Sequence, residues 1–155
     1  LWLAYHQGKI KLKVTAGHRL LITPGSKSQP EYCAIKVVNT GDRPANITHV
    51  GWETGWFKKK KHIIQIFGTP GFDDVPKVLH EGKEANFMVP LRLNGSDEDW
   101  IVRFPKTLVG DEGKIGHIKR LKVVVGTSVG QMFRTRVEGN LVEKLLESYK
   151  ANKAN

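Results

Sequence analysis

The 155-residue sequence contains a single cysteine, Cys33. One thiol cannot form an internal disulfide or a cysteine-based zinc cluster, so both kinds of stabilisation are excluded. Cys33 lies between Tyr32 and Ala34 in an apolar segment, and we predict that it is a small core residue. The alternative, a catalytic thiol, requires a histidine partner that the sequence does not reveal.

Long apolar runs are also absent from the sequence. Because a membrane-spanning helix needs a run of about 18 or more apolar residues, none is predicted within this chain. The first residues also lack the basic and apolar regions of a signal peptide. Residues 1–8, however, place apolar and aromatic side chains ahead of Lys9 and Lys11, an order typical of a membrane interface. They are interpreted either as the end of a removed membrane segment, with the domain on the cytoplasmic side of the inner membrane, or as an ordinary N-terminal strand.

The sequence has no nucleophile elbow, no phosphate-binding loop and no dinucleotide-binding glycine motif. Its histidines never occur at metal-ligand spacing, and His49 and His62 are the only pair that a hairpin would bring together. Acidic residues cluster in predicted loops at Asp73–Asp74, Asp97–Asp99 and Asp111–Glu112, without the period of a calcium-binding loop. We therefore predict no catalytic residue, no cofactor and no metal. A hydrolase that uses these loop carboxylates is kept as an alternative.

What the sequence does contain is a series of short apolar segments separated by turn residues. Residues 9–15 alternate lysine with aliphatic residues, and Gly17 is predicted to separate this strand from another at 18–23. Residues 31–38 and 45–53 carry apolar side chains on both faces, which favours central strands. The turn between them, at 39–44, contains Asn and Gly, which tolerate positive φ. The pattern predicts an all-β fold, an immunoglobulin-like antiparallel β-sandwich of about seven to nine strands, with a closed barrel as the alternative.

Two helices are predicted within this β-rich pattern. A short inserted helix is expected to begin near Ser96, with Asp99 completing a capping box, and to end at Pro105. A C-terminal helix from Asn140 to Tyr149 carries an apolar stripe that we expect to pack on the sheets. The predicted organisation is an N-terminal extension (1–8), a β-sandwich domain (9–138) and a C-terminal helix with its tail (139–155).

The chain is strongly basic, with 25 Lys and Arg against 15 Asp and Glu and a formal net charge of +10. Such a charge favours anionic partners. The candidate partner-binding residues are Trp56, Phe57, Lys58, Lys59, Lys60 and Lys61, together with Lys119, Arg120 and Lys122 on a predicted later strand. Basic residues beside aromatic rings are also typical of nucleic-acid binding. Lysines at strand edges can equally serve only to prevent aggregation.

The segment from Ile35 to Gly51 contains the spacing N-x-G-x-x-P-x-x-I between two apolar strands. It resembles the hairpin of bacterial immunoglobulin-like sandwich domains, and in particular a group of small uncharacterised bacterial proteins in which a short membrane-spanning start precedes such a domain. The resemblance implies the sandwich fold and a membrane tether, and it implies no activity. The sequence thus predicts a non-enzymatic module that binds another protein or an anionic membrane surface, with nucleic-acid binding as the alternative.

Overall fold

The computed structural model describes residues 10–153 of the chain. The interface-like residues 1–8 therefore lie outside the described residues. The strands are β1 (Leu12–Leu20), β2 (Glu31–Asn39), β3 (Ala45–Thr54), β4 (Lys61–Ile64), β5 (Lys77–Leu79), β6 (Glu84–Pro90), β7 (Lys122–Thr127) and β8 (Met132–Arg136). The helices are α1 (Trp100–Val109), α2 (Gly116–Lys119) and α3 (Gly139–Asn152), and a 3-10 turn spans Phe57–Lys59. Within residues 10–153, no helix is long and apolar enough to cross a membrane.

The strands form two antiparallel sheets, so the predicted β-rich fold is confirmed at this level. The first sheet has the order β1-β2-β6, and the second has the order β4-β3-β7-β8, with β5 paired to β3. Side chains from both sheets and from the helices pack into one apolar core. Both β2 and β3 are central strands, as their apolar faces predicted.

Cys33 is fully buried within this core, as predicted. Its side chain shares the inner face of β2 with Ile35 and Val37. Burial in an apolar environment disfavours the thiolate and raises the pKa of the Cys33 thiol far above its usual range. A thiol in this state is a poor nucleophile, so the core interpretation explains the residue without a catalytic role.

The turn between β2 and β3 is organised by a side chain, and the expected positive φ angles do not occur at Asn39 or Gly41. Asn39 is buried, and its side-chain nitrogen donates to the backbone oxygens of Arg43 at 2.8 Å and Leu79 at 2.9 Å. Its side-chain oxygen accepts from the backbone nitrogen of Gly41 at 3.0 Å. A Cβ at Gly41 would lie 3.2 Å from the Lys11 nitrogen, a tight contact that favours glycine at this position.

Two predicted strand boundaries were wrong. Gly17 does not interrupt β1, because the whole strand pairs with β2 and Gly17 lies opposite Ala34. The predicted strand from Ile118 begins instead at Lys122, since residues 116–119 form α2. Lys119 and Arg120 therefore lie on and just after a helix.

Helix α1 begins later and ends later than predicted. Asp99 occupies its N-cap position, and the carboxylate accepts from the backbone nitrogens of Leu93 and Asn94 at 3.0 and 3.1 Å. Pro105 lies inside the helix and does not end it. Proline has no N–H to donate to the carbonyl four residues earlier, which is that of Ile101. That carbonyl accepts instead from the Ser148 hydroxyl of α3, at 2.6 Å.

Helix α3 packs on the fold as its apolar stripe predicted, with Leu141 and Leu145 fully buried. The predicted N-cap at Asn140 was wrong, because the helix begins at Gly139 and Glu138 occupies the N-cap position. Asn140 has another role. Its side-chain oxygen accepts from the His18 backbone nitrogen at 3.2 Å, and its side-chain nitrogen donates to the His18 oxygen at 3.1 Å. Asn140 therefore attaches the first turn of α3 to β1.

The bond from Ser148 to Ile101 generates a stability prediction. Replacing Ser148 with alanine leaves the buried Ile101 carbonyl without its partner, and we expect a loss of about 1–3 kcal/mol of unfolding free energy. In a Pro105→Ala background, residue 105 regains an N–H that can satisfy Ile101, so the cost of Ser148→Ala should fall. Urea denaturation of the two single variants and the double variant measures this coupling. Additive losses would contradict the compensation.

Candidate anion-binding surface

The connection between β3 and β4 forms an exposed tip that contains Trp56 and Phe57. Gly55 enters it with a φ of 103°, and a Cβ at this position would lie 2.5 Å from the Lys59 carbonyl oxygen. The chain then makes a 3-10 turn closed by a 3.0 Å bond from the Lys59 nitrogen to the Trp56 oxygen. The bend predicted at residues 54–55 is therefore present, and only glycine fits it without strain.

Both aromatic side chains of the tip face solvent, Trp56 with 58% and Phe57 with 73% of its surface exposed. Their rings pack edge to face with centroids 5.1 Å apart. Phe57 has a φ of 48°, a left-handed conformation that is unfavourable for a bulky residue. Such strain costs about 1–3 kcal/mol and is found mainly at functional sites.

Helix α2 places a cation on the aromatic tip. The buried His117 anchors this helix, because its carbonyl accepts from the Thr54 hydroxyl and its ring nitrogen bonds the Leu108 oxygen at 2.9 Å. Arg120 follows the helix directly, and its guanidinium lies 4.7 Å from the centroid of the Trp56 ring. The structure therefore brings Trp56, Phe57 and Arg120 together, although they are far apart in the sequence.

The lysine run beside the tip points in several directions. Lys59 and Lys60 are exposed, and Lys60 lies 3.6 Å from the Glu53 carboxylate. Lys61 instead donates to the Leu108 carbonyl at the end of α1, at 3.4 Å. Lys58 lies in the 3-10 turn, and Lys119 is exposed at the end of α2. The lysine run thus lies at the β3–β4 connection, and Lys60 and Lys61 contact different partners, Glu53 and the Leu108 carbonyl.

The outer face of the second sheet extends this basic region. Glu53 of β3 lies opposite His62 of β4 on one side and Lys122 of β7 on the other. Lys122 in turn lies opposite Arg136 of β8. These four residues form a row across the sheet, which we call the basic row. Arg134, on the same face of β8, donates to the Glu53 carboxylate at 2.8 Å.

Glu53 is the acidic centre of the basic row, and only 4% of its surface is exposed. The hydrogen bond from Arg134 lowers the pKa of Glu53, and the charges of Arg134, Lys60 and His62 lower it further, against the opposing effect of burial. The carboxylate is therefore ionised at neutral pH. It contacts Lys60, His62 and Arg134, on the face of the sheet where Lys122 and Arg136 also lie.

The contributions of Arg134 and Arg136 were missed in the sequence. Met132, Arg134 and Arg136 alternate with partly buried residues along β8, a period-two pattern that marks a solvent face. This signal was available, but it does not show that β8 lies beside β7. The predicted meeting of His49 and His62 was wrong, because His62 pairs with Glu53, four residues beyond His49.

The loop carboxylates that motivated the hydrolase alternative are engaged in local contacts. Asp73 accepts from the Asn86 backbone nitrogen at 2.7 Å and pairs with Lys77 at 3.0 Å. Asp99 holds the loop before α1, and Glu112 pairs with Lys114 at 2.6 Å. Among the described residues, no group of three or more His, Cys, Asp or Glu side chains is arranged to hold a metal ion.

Comparison with known proteins identifies no family: no protein family model and no curated protein matches this chain. It is similar to the Northeast Structural Genomics Consortium target SoR45, at 10% identity over 83% of this chain and 82% of that chain, with a TM-score of 0.33. It is also similar to the putative ApaA protein from Bordetella pertussis, at 14% identity over 81% of this chain and 87% of that chain, with a TM-score of 0.33. At these TM-scores neither similarity supports an argument about fold or function.

The environment of Glu53 predicts a pH-dependent contribution to stability. A lowered carboxyl pKa means that the stabilisation is present above the ordinary value of 4.5 and is lost as the pH falls through the folded-state value. We expect Glu53→Gln to lower the unfolding free energy by about 1–3 kcal/mol at pH 7 and by progressively less below pH 4.5. Urea denaturation between pH 3 and 7 measures this.

Glu143 of α3 is an exposed residue that provides the matched control. Glu143→Gln should change the unfolding free energy by less than about 0.5 kcal/mol across the same pH range. If the loss of unfolding free energy in Glu53→Gln did not vary with pH, it would contradict the ionic contacts described for Glu53.

Proposed function

We propose that this chain is a non-enzymatic, immunoglobulin-like β-sandwich module that binds an anionic membrane surface. The aromatic tip makes the contact, together with the cations around it. The observation that carries the proposal is the exposed pair Trp56 and Phe57, held in a strained turn beside Arg120 and Lys59. The proposed location is the cytoplasmic side of a bacterial inner membrane.

The aromatic pair supports this proposal because it contributes little to the folded state. Both rings leave most of their surface in water, and Phe57 adopts an unfavourable backbone conformation. Tryptophan is enriched where a protein meets the headgroup region, since its apolar ring is buried there while its indole N–H stays hydrated, and phenylalanine adds apolar surface to such a contact. Insertion of the tip would bury the surface that folding leaves exposed.

The charges around the tip have the sign that this contact requires. Lys59, Lys60 and Arg120 are exposed close to Trp56 and Phe57. Each basic residue near an anionic leaflet contributes about 1 kcal/mol at moderate salt, and the contribution is screened as salt increases. The aromatic and electrostatic contributions would therefore act at the same end of the domain.

The geometry of the tip favours a membrane over nucleic acid. Proteins that bind single strands stack bases on open aromatic faces. One face of the Trp56 ring is already covered by the Arg120 guanidinium, and Phe57 packs edge to face with it. These contacts reduce the surface available for stacking, but they leave the apolar edges free for insertion. Nucleic-acid binding is retained as the competing outcome of the test below.

An N-terminal tether would constrain how the domain lies on the membrane. The backbone beside β1 joins the β2–β3 turn, where the Thr40 nitrogen bonds the Lys11 oxygen at 3.0 Å. The aromatic tip lies at the other end of β3, a ten-residue strand of roughly 30 Å. A tethered domain would therefore bring both ends to one membrane by lying along β3. In the orientation that turns the outer face of the second sheet toward the membrane, the basic row would contact the lipid.

Liposome sedimentation tests the proposal. Wild-type protein should bind vesicles that contain phosphatidylglycerol more tightly than neutral phosphatidylcholine vesicles, and 0.5 M salt should weaken this binding. The Trp56→Ser, Phe57→Ser double variant should lose at least tenfold in affinity, because the apolar insertion is removed. Ile22→Ser, at another exposed apolar residue, is the control and should bind as wild type.

Two outcomes would contradict the proposal. One is the absence of salt-sensitive vesicle binding, and the other is an unchanged affinity in the double variant. Tighter binding to a single-stranded oligonucleotide than to anionic vesicles, with a linear decrease against the logarithm of salt concentration, would favour the nucleic-acid alternative.

A further inference from the structure

One edge of the second sheet, along β4, is open. In the antiparallel ladder between β3 and β4, the Gln65 nitrogen bonds the Val50 oxygen at 2.9 Å, and Trp52 lies opposite Ile63. Residues that bond a neighbouring strand alternate with residues whose N–H and C=O groups point away from it. His62 and Ile64 are the outward-pointing positions. Within residues 10–153, no strand pairs with β4 on this side.

The open edge carries unusual apolar exposure. Ile64 leaves 72% of its surface in solvent and Ile66 leaves 84%. An exposed edge strand with apolar side chains is a template for pairing with another chain, and proteins normally protect such edges with charge, proline or a covering segment. The lysine run ends at Lys61, the first residue of β4, and residues 62–67 contain no lysine.

A groove begins beside Ile63 on this edge and continues past Phe67, and it is bounded by α1, by the start of β2 and by the end of β6. Gln65 joins the two walls, because its side-chain oxygen accepts from the indole nitrogens of Trp52 at 3.0 Å and Trp100 at 3.2 Å. At the opposite end of α1, Lys61 reaches the Leu108 carbonyl. Helix α1 therefore runs antiparallel to residues 61–65. The groove has a volume of about 1020 Å³.

The inner wall of the groove is formed by the alternate side chains of the edge segment. Ile63 and Phe67 line it from this segment, while Phe104 and Trp100 line it from α1 and Arg103 stands at its rim. A strand added beside β4 would have the same pleat, so every second side chain would point into this groove. The free backbone groups and the groove would thus be used by one and the same ligand.

We propose that this edge and groove bind an extended peptide of a partner protein by strand addition, with the peptide antiparallel to β4. Backbone hydrogen bonds to His62 and Ile64 would provide affinity, and apolar side chains entering the groove at alternate positions would provide specificity. This site lies along β4, beyond the aromatic tip, and shares only Lys59 and Lys60 with the proposed membrane contact, on which it does not depend.

Charge indicates the chemistry of a peptide that lies antiparallel to β4. Lys59 and Lys60 precede β4 and Lys61 is its first residue, whereas the carboxylates that line the groove are those of Glu31, Glu98 and Asp99. The C-terminal half of an antiparallel peptide would lie beside the lysines. The hydrogen bond and charge of Lys114 lower the pKa of Glu112, and the charges of Lys59 and Lys61 lower it further, so this carboxylate neutralises part of the positive charge. Arg103 adds a cation on the α1 wall. An acidic C-terminal half is therefore the complementary ligand.

A second copy of this chain is less complementary than such a peptide. Its own edge, Lys61 to Phe67, contains lysine and histidine and no carboxylate. Each copy also carries a formal net charge of +10, so pairing of two edges would bring two strongly basic domains together. Self-association through this edge is therefore the competing outcome that the experiment below can detect.

A displayed library of random peptides of roughly ten residues, long enough for one strand, provides the probe. Selection on the full chain should enrich alternating apolar residues followed by acidic residues. Ile64→Pro removes an N–H that faces the open edge, and proline is tolerated at such edge positions. It should reduce affinity for the selected peptide at least tenfold. Ile64→Thr, which keeps the N–H, is the matched control and should lose less.

Circular dichroism and the urea midpoint of Ile64→Pro check that the fold is retained. If Ile64→Pro unfolds, methylation of the central amide nitrogens of the selected peptide tests the same backbone hydrogen bonds and should cause a similar loss of affinity.

The proposal is overturned if no peptide is enriched, or if neither Ile64→Pro nor N-methylation weakens binding. A concentration-dependent dimer in sedimentation equilibrium, lost in Ile64→Pro, would assign the edge to a second copy. Vesicle binding should be unchanged in Ile64→Pro, which separates this site from the tip.

Discussion

The packing of Trp52 against α1 is the contact on which most of the molecule depends. Trp52 is almost completely buried on the central strand of the second sheet, and its ring lies 6.1 Å from that of Trp100 and 5.3 Å from that of Phe104. Its indole nitrogen donates to Gln65, which also accepts from Trp100. One side chain therefore fixes α1 beside the edge of the sheet. This contact helps to place α1 as a wall of the groove, with the Leu108 carbonyl within reach of Lys61.

Helix α3 also holds α1 in position, although α1 contains a proline. Pro105 should disrupt a helix, because it cannot satisfy the carbonyl of Ile101. The Ser148 hydroxyl satisfies that carbonyl, and Asn140 attaches the start of the same helix α3 to β1. The carbonyl that the proline leaves without a partner in its own helix instead bonds α3. The two helices therefore hold each other against the sheets.

The two proposed binding surfaces differ in what they expose. The aromatic tip exposes side chains, Trp56 and Phe57, beside cations whose positions depend on α2. The edge of β4 exposes backbone groups beside an apolar groove. Glu53 lies between the two, where it holds Arg134 and Lys60 on the outer face of the sheet. A basic domain can therefore offer two chemically distinct sites without bringing all its charge to one of them.

The sequence by itself determined the β-rich class, the central strands β2 and β3, the buried Cys33 and the apolar stripe of α3, because alternation and helical spacing are local patterns. It also located the aromatic and basic residues of the tip. Tertiary structure alone decided that Pro105 lies within a helix and that Arg120 covers Trp56, since each depends on a partner distant in the chain. The roles of Asn39 and Glu53 could not be predicted from the sequence for the same reason. Their roles arise from contacts with Leu79 and Arg134, and pairing between strands decides which distant residues meet.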